Sequence, residues 1–238
     1  MAFLKAVIFG AIGTLTETSE MQRAAFNNAF EAAGHDIVWD EATYRDMVSG
    51  EQAVVGGQIR IRAHAAARGI ELDDNAVTAL HASKSEFFQD FITRDGLPLN
   101  RGVEAFILAA KRAGMLVAFA STTSRANVDA MFEAARTAIR DQFDLILSGD
   151  DVDAPKPSPA IYLAALEKLG LDASEVIAIE DSAPSMAAAL AAGIATFVVP
   201  GKLWVDNVFD GASAVLPDLD GVTVEQLGAQ LGRDTISA

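Results

Sequence analysis

Short apolar runs recur along the chain, each giving way to a turn and then to a stretch with helical spacing. They are Leu4 to Phe9, Leu116 to Ala120, Phe143 to Leu147, Val176 to Ile179 and Ala195 to Val199. Runs of this length without polar alternation predict strands covered on both faces, and their alternation with helical segments predicts βαβ units. The expected core is α/β, a doubly wound parallel, Rossmann-like sheet. Residues 16–95 hold no comparable run. There Met21, Ala25, Phe26, Ala29, Phe30 and Ala33 keep a helix spacing that stops at Gly34, and Ser83 to Phe91 carries a second apolar stripe. The pattern predicts a helical insert at 16–95 and a discontinuous core made of residues 1–15 plus 96–238.

Composition narrows the function classes. A chain of 238 residues that is 51% hydrophobic can bury a large interior. Its 18 basic residues face 33 acidic ones, for a net charge of −15, which argues against a nucleic-acid or anionic-membrane partner and for a small molecule or a protein. Cysteine is absent, so neither a disulfide framework nor a thiolate site is available. No basic segment followed by an apolar stretch marks secretion, no run reaches the length of a membrane span, and the expectation is a cytoplasmic protein.

Several segments carry candidate chemistry. The first run breaks as Phe9-Gly10-Ala11-Ile12-Gly13-Thr14-Leu15. After the second comes Ser121-Thr122-Thr123-Ser124, where hydroxyls and free backbone N–H groups ahead of a helix suit a phosphate oxygen; equally, Ser124 is an N-cap and Ser121 a turn residue. Lys156 lies among Pro155, Pro157 and Pro159, a stiff loop in which a lysine is either a solvated charge or a fixed cation. Glu180 and Asp181 end the fourth run. Adjacent carboxylates there are costly unless a cation or N–H donors satisfy them, and otherwise read as an exposed acidic turn.

In this order the segments resemble the motifs of the haloacid dehalogenase (HAD) superfamily, subfamily I, whose first strand ends in Asp-x-Asp-Gly-Thr-Leu. The resemblance implies an α-helical cap domain at 16–95 and assigns roles. Gly10 stands where the family has its phosphoryl-accepting aspartate, and Ile12 where it has the general acid and base. Ser121 and Thr122 take the phosphate-binding position, Lys156 the cation that neutralises nucleophile and phosphate, and Asp181 with Glu180 the Mg²⁺ ligands. Likeness is greatest to phosphatases acting on xylulose-1,5-bisphosphate, and more distant to β-phosphoglucomutases. It rests on Glu17-Thr18, Arg23 with Ala25-Phe26-Asn27, Trp39-Asp40, Gly56-Gly57, Arg60-Ile61, Gly149-Asp150-Asp151-Val152 and Ala214 to Leu219. Departures fall at substrate-facing cap positions as well. Gln22 replaces a histidine of the first cap helix, Gln58 replaces a lysine after Gly56-Gly57 in a cap loop that reaches the substrate, and extra residues near Glu51 to Val55 are expected to reshape that loop. Ser19 and Gln22 also have capping-box spacing, which gives Gln22 a purely helical role.

The reading that follows is a HAD-like chain descended from sugar-phosphate phosphatases. Phosphatase activity is lost or impaired, binding of a phosphorylated metabolite or inorganic phosphate is retained, and Mg²⁺, if bound, is held weakly by Asp181 or Glu180, the Ile12 carbonyl and water. Glu17, Gln22, Gln58 and Arg60 are the expected substrate-side residues. The alternatives are an active hydrolase recruiting water or a hydroxyl of Ser121 or Thr14, and a non-catalytic interaction protein.

Overall fold

The computed structural model describes residues 3–10, 12–50, 53–54, 56–135 and 137–235. Glu51, Gln52 and Val55, where extra residues are expected to reshape a loop, lie outside the described residues. The chain divides into two compact units, residues 1–17 with 97–238, and residues 18–96.

In the first unit the strands are β1 (Phe3–Leu4), β2 (Ala6–Phe9), β3 (Leu116–Ala120), β4 (Leu145–Leu147), β5 (Val176–Glu180), β6 (Ala195–Val198), β7 (Ala214–Val215) and β8 (Asp234–Thr235). Six of them form one sheet in the order β4-β3-β2-β5-β6-β7, every neighbouring pair parallel. The remaining two, β1 and β8, pair parallel with each other. The first apolar run is thus split at Lys5, whose N–H donates to Glu175 O at 2.7 Å while its carbonyl accepts from Leu116 N at 2.9 Å. The run from Phe143 shortens to a strand at Leu145 because Asp144 turns its carboxylate onto Val117 N and Lys111 Nζ. Strand β7 escapes a periodicity search because it is two residues long.

The helices of this unit are α1 (Ile12–Leu15), then α6 (Val103–Arg112), α7 (Arg125–Ala134), α8 (Ala160–Leu169), α9 (Ala183–Ala191) and α10 (Val224–Gln230), with α2 to α5 in the other unit. On one face of the sheet Ala6, Ile8, Ala118 and Ala178 pack with Tyr162 and Ala165 of α8 and Ala188 and Ala189 of α9. Alanine on both sides lets helix and sheet approach closely. On another side Phe9 meets Phe106 and Phe143 edge-on, each at 6.2 Å between ring centroids. Burying a side chain of that size stabilises by roughly 1.5–3 kcal/mol, which anchors β2 in the core. It is also the strand at which the order reverses, so its carboxyl end, with those of β3 and β5, opens the crevice where ligands bind in such sheets.

The second unit is helical, with α2 (Ser19–Ala32), α3 (Glu41–Ser49), α4 (Gly57–Ala67) and α5 (Asp74–Asp95). Asp40 and Asp73 cap α3 and α5 by accepting from Thr43 N and Ala76 N, each at 2.7 Å. Trp39 is fully buried between Phe26 and Phe30, at 4.6 and 4.9 Å. Asn27 clamps it by bonding both Trp39 N (2.8 Å) and Trp39 O (3.0 Å), and Arg23 adds a second bond to that carbonyl. The capping box expected of Ser19 and Gln22 does not form. The N-cap is Thr18, Ser19 is the first helical residue, and the Gln22 carbonyl oxygen accepts from Lys84 Nζ.

Candidate active site

The first strand delivers Gly10 to the crevice, its N–H donating to Ile179 O at 3.1 Å. Glycine matters here through the space it leaves. A Cβ built on Gly10 would coincide with Glu180 Oε1 and Tyr162 OH, so those two groups fill the volume of a side chain at position 10. Lys156 closes the cluster. Its ammonium donates to the Gly10 carbonyl, lies 2.8 Å from Glu180 Oε1 and 3.2 Å from Tyr162 OH, and sits over the tyrosine ring at 4.8 Å. Tyr162 OH in turn donates to Glu180 Oε1. Glu180 is 0% exposed and Lys156 5% exposed, so neither the solvated lysine nor the exposed acidic turn left open by the sequence describes this site.

Burial dominates the electrostatics. It pushes the Glu180 carboxyl up to about 7, with the Asp181 charge adding to the rise and the Lys156 ammonium opposing it. Asp181 is raised too, chiefly by burial, against the pull of Lys156. The side chain of Asp181 lies where a Cβ on Gly13 would stand, and its carbonyl accepts from Gly201 N at 3.0 Å. Ile12 opens α1, its carbonyl accepting from Thr16 N at 2.8 Å. Asn100 secures this turn from below by donating to Gly13 O (2.8 Å) and Thr14 O (3.2 Å). Glu17, at the end of the unit's first segment, accepts from Lys202 N at 2.9 Å.

Ser121 and Thr122 follow β3, the neighbour of β2. Ser121 is 6% exposed and its Oγ accepts from Thr123 N at 3.3 Å, while Ser124 caps α7 by accepting from Asn127 N at 3.4 Å. The local cap and turn roles are therefore realised. Gly149 N donates to Thr123 O at 2.6 Å, an approach that a Cβ on Gly149 would block through the carbonyl of Thr122. Arg125 and Asp151 tie this loop to β4, since Arg125 Nη2 reaches Ile146 O and Asp151 Oδ2, which also accepts from Ser148. Thr14 Oγ1 is buried without a hydrogen-bond partner, so this alternative nucleophile has no base.

The structure thus brings Gly10, Lys156 and Glu180 into one contact, sets Asp181 against Gly13, and leaves Ser121 and Thr122 on the adjoining strand end. Gln22, Gln58 and Arg60 belong to the 18–96 unit. Gln22 is held by Lys84, Gln58 lies in the first turn of α4, and Arg60 Nε donates to Val54 O at 3.1 Å. Tyr162 and Asn100 escaped sequence reasoning. The one signal for Tyr162 was a hydroxyl-bearing ring on the otherwise apolar Ile161-Tyr162-Leu163 turn of α8.

The residues present offer Mg²⁺ a depleted set of ligands. Glu180 Oε2 and Asp181 Oδ1 are buried and unpartnered acceptors, yet Glu180 is already committed through Oε1 to an ammonium and a phenol. The Ile12 carbonyl accepts from Thr16 N and keeps one lone pair, and among the described residues no three His, Cys, Asp or Glu side chains converge. Octahedral Mg²⁺ demands a stricter set.

Comparison with known proteins places the chain among recognisable relatives. Residues 4–193 match the haloacid dehalogenase-like hydrolase family. The protein CbbY of Rhodobacter capsulatus is 36% identical over 225 residues, covering 94% of this chain and 97% of its own. Two crystal structures of CbbY from Rhodobacter sphaeroides are each 34% identical. One, a mutant in complex with xylulose-(1,5)bisphosphate, superposes with a TM-score of 0.83 over 93% of this chain and 98% of its own. The other, in complex with phosphate, does so at 0.84 over 97% and 100%. Among the described residues no helix is long and apolar enough to cross a membrane.

Proposed function

This chain belongs to the haloacid dehalogenase-like hydrolase family, and from that premise we propose that phosphoryl transfer is lost or severely impaired in it while an affinity for small phosphorylated metabolites is kept. One observation carries the reading: the volume of a side chain at Gly10 is taken by Glu180 Oε1 and Tyr162 OH. Transfer of a phosphoryl group needs an acceptor in line with phosphorus and an acid for the leaving oxygen. Gly10 contributes no acceptor atom and Ile12 no proton. Glu180, the carboxylate that stands in the place, is wholly buried and spends Oε1 on Lys156 and Tyr162.

Anion binding draws on Lys156, the backbone at the ends of β2 and β3, and the N-terminus of α7, none of which depends on a nucleophile. It requires Lys156 to exchange Glu180 for phosphate. With its pKa near 7, Glu180 is partly neutral at ordinary pH, so the exchange strands less than a full buried charge. We read the 18–96 unit as the family's cap domain. Xylulose-(1,5)bisphosphate and phosphate, the ligands of the CbbY complexes, mark the class to test first.

The test is phosphate release from a panel of phosphomonoesters with and without Mg²⁺, beside calorimetric titration with phosphosugars. Release near background is expected, together with binding that Lys156→Ala weakens at least tenfold. Turnover on the order of 1 per second or faster would overturn the impaired-site reading, and equal affinity in the variant would remove Lys156 from the binding site.

A further inference from the structure

Three Asp-Gly steps occur in the chain, Asp95-Gly96, Asp210-Gly211 and Asp220-Gly221, and in each the glycine has a positive φ, of 76°, 92° and 71°. Before a glycine an aspartate carboxyl reaches the next backbone nitrogen with least obstruction, because no Cβ stands in the way. The fold treats the three steps differently. Asp95 ends α5 in an ion pair with Arg94, and the N–H of the buried Gly96 donates to Ile92 O at 2.9 Å. Asp220 and Gly221 are the central residues of a turn closed by Val222 N on Leu219 O at 3.2 Å. There the Asp220 carboxylate is held by Arg101, and the Asp220 N–H donates to Asp218 Oδ1 at 2.8 Å. Asp210 and Gly211 are the central residues of a second such turn, closed by Ala212 N on Phe209 O at 3.1 Å, and both are exposed. Among the described residues no donor or cation reaches the Asp210 carboxylate, and the Gly211 N–H has no acceptor.

We propose that Asp210-Gly211 is a modification site at which the folded chain converts aspartate to isoaspartate through a cyclic imide, ahead of the other two steps. The Gly211 nitrogen gives up its proton and forms a bond to Cγ of Asp210, and one carboxyl oxygen leaves as water. Water then opens the five-membered succinimide. Breaking the bond from nitrogen to Cγ restores aspartate, whereas breaking the bond from nitrogen to the α-carbonyl carbon leaves the chain running through Cβ and Cγ. One water is lost and one regained, so the product is an isomer and no other reactant is needed. Ring closure requires a carboxyl free to turn and a nitrogen free to be attacked. Asp95 lacks both freedoms, Asp220 lacks the first, and Asp210 has both. The product adds one backbone atom between Phe209, which packs with Met186 and Val198, and Ser213, whose N–H donates to Thr196 O at 2.7 Å beside β7. The change therefore falls at the edge of the six-stranded sheet.

The experiment ages the intact chain in H₂¹⁸O at neutral pH, digests it in ordinary water and maps the peptides by mass spectrometry, since each opening of the imide leaves one ¹⁸O in the residue. Electron-transfer fragmentation then distinguishes isoaspartate from aspartate. The expected result is ¹⁸O entering Asp210 several-fold faster than Asp95 or Asp220, with isoaspartate accumulating at position 210. In urea the three rates should converge, and Arg101→Gln should raise the Asp220 rate several-fold while leaving that of Asp210 unchanged. Labelling of Asp210 no faster than of the other two in the folded chain overturns the proposal. An equal preference for Asp210 in urea overturns it as well, because the fold would then not be its cause. An unchanged Asp220 rate in Arg101→Gln overturns the protective role of the ion pair.

Discussion

Gly10→Ala tests the filled pocket most directly. The Gly10 backbone is not left-handed, so alanine suits its conformation and any cost comes from the new methyl group. That methyl would coincide with Glu180 Oε1 and Tyr162 OH, both on fully buried side chains. If the neighbours shift slightly to make room, the cost is that of overpacking, about 1–3 kcal/mol. If Glu180 swings away instead, Lys156 loses the carboxylate at 2.8 Å and the cost approaches that of breaking a buried pair, about 3–5 kcal/mol. The expected loss lies between these limits, at about 2–4 kcal/mol. Urea denaturation reads it as a lower midpoint at unchanged slope. Tyr162→Phe removes one of the two overlapping atoms, so the double variant should lose less than the sum of the singles, with a coupling of about 0.5–3 kcal/mol. A single-variant loss under about 0.5 kcal/mol, or strict additivity, would refute the claim that Glu180 and Tyr162 occupy the missing side chain's volume.

Further outcomes follow from the same geometry. Gly10→Asp meets the same overlap, so acetyl phosphate should at most leave a trapped acyl phosphate on it, whereas Gly10→Asp with Ile12→Asp should turn over about 10²–10⁴ times faster than the single change; equal rates would show that Ile12 is not the missing acid and base. Glu180 has a folded pKa near 7 against an ordinary 4.5, so the folded state holds its proton longer and its contribution to stability is lost as pH rises from 4.5 to 7. The unfolding free energy of the parent should accordingly fall against that of Glu180→Gln by about 3 kcal/mol across that window, and a constant difference between pH 4.5 and 7.5 would show an unshifted carboxyl. Asn100→Ala strips donors from the Gly13 and Thr14 carbonyls, and thermal unfolding should report a loss of about 1–3 kcal/mol; an unchanged melting temperature would mean the turn holds itself.

Much of the fold was legible because its signals are local and repeated. The apolar runs at β2, β3, β5 and β6 are buried on both faces of a parallel sheet, which imposes continuous hydrophobicity, and β3 and β5 lead into α7 and α9, the latter ending ahead of Gly193. Strand ends were less legible. Lys5 and Asp144 interrupt pairing through hydrogen bonds to residues far along the chain, and a window of neighbours contains no trace of those partners. The Ser19–Gln22 capping box failed for a related reason: the spacing was right, but Lys84 offered the Gln22 carbonyl a charged donor, and a charge-assisted bond outweighs a cap.

At the candidate site the sequence alone determined which groups positions 10 and 12 offer. Gly10 has no carboxylate and Ile12 no proton, whatever the fold does around them. It also determined that Lys156, Glu180 and Asp181 end segments that a parallel sheet gathers at one edge, because strand order and crossover hand leave few other arrangements. Only the tertiary structure decided what became of the freed space. Glu180 from β5, Tyr162 from α8 and Lys156 from the loop before it converge on Gly10 from separate parts of the chain, and their contact is set by side-chain reach and by the cost of leaving a buried charge unpaired. No spacing rule encodes that convergence, since it depends on distances in space between residues that are remote in sequence.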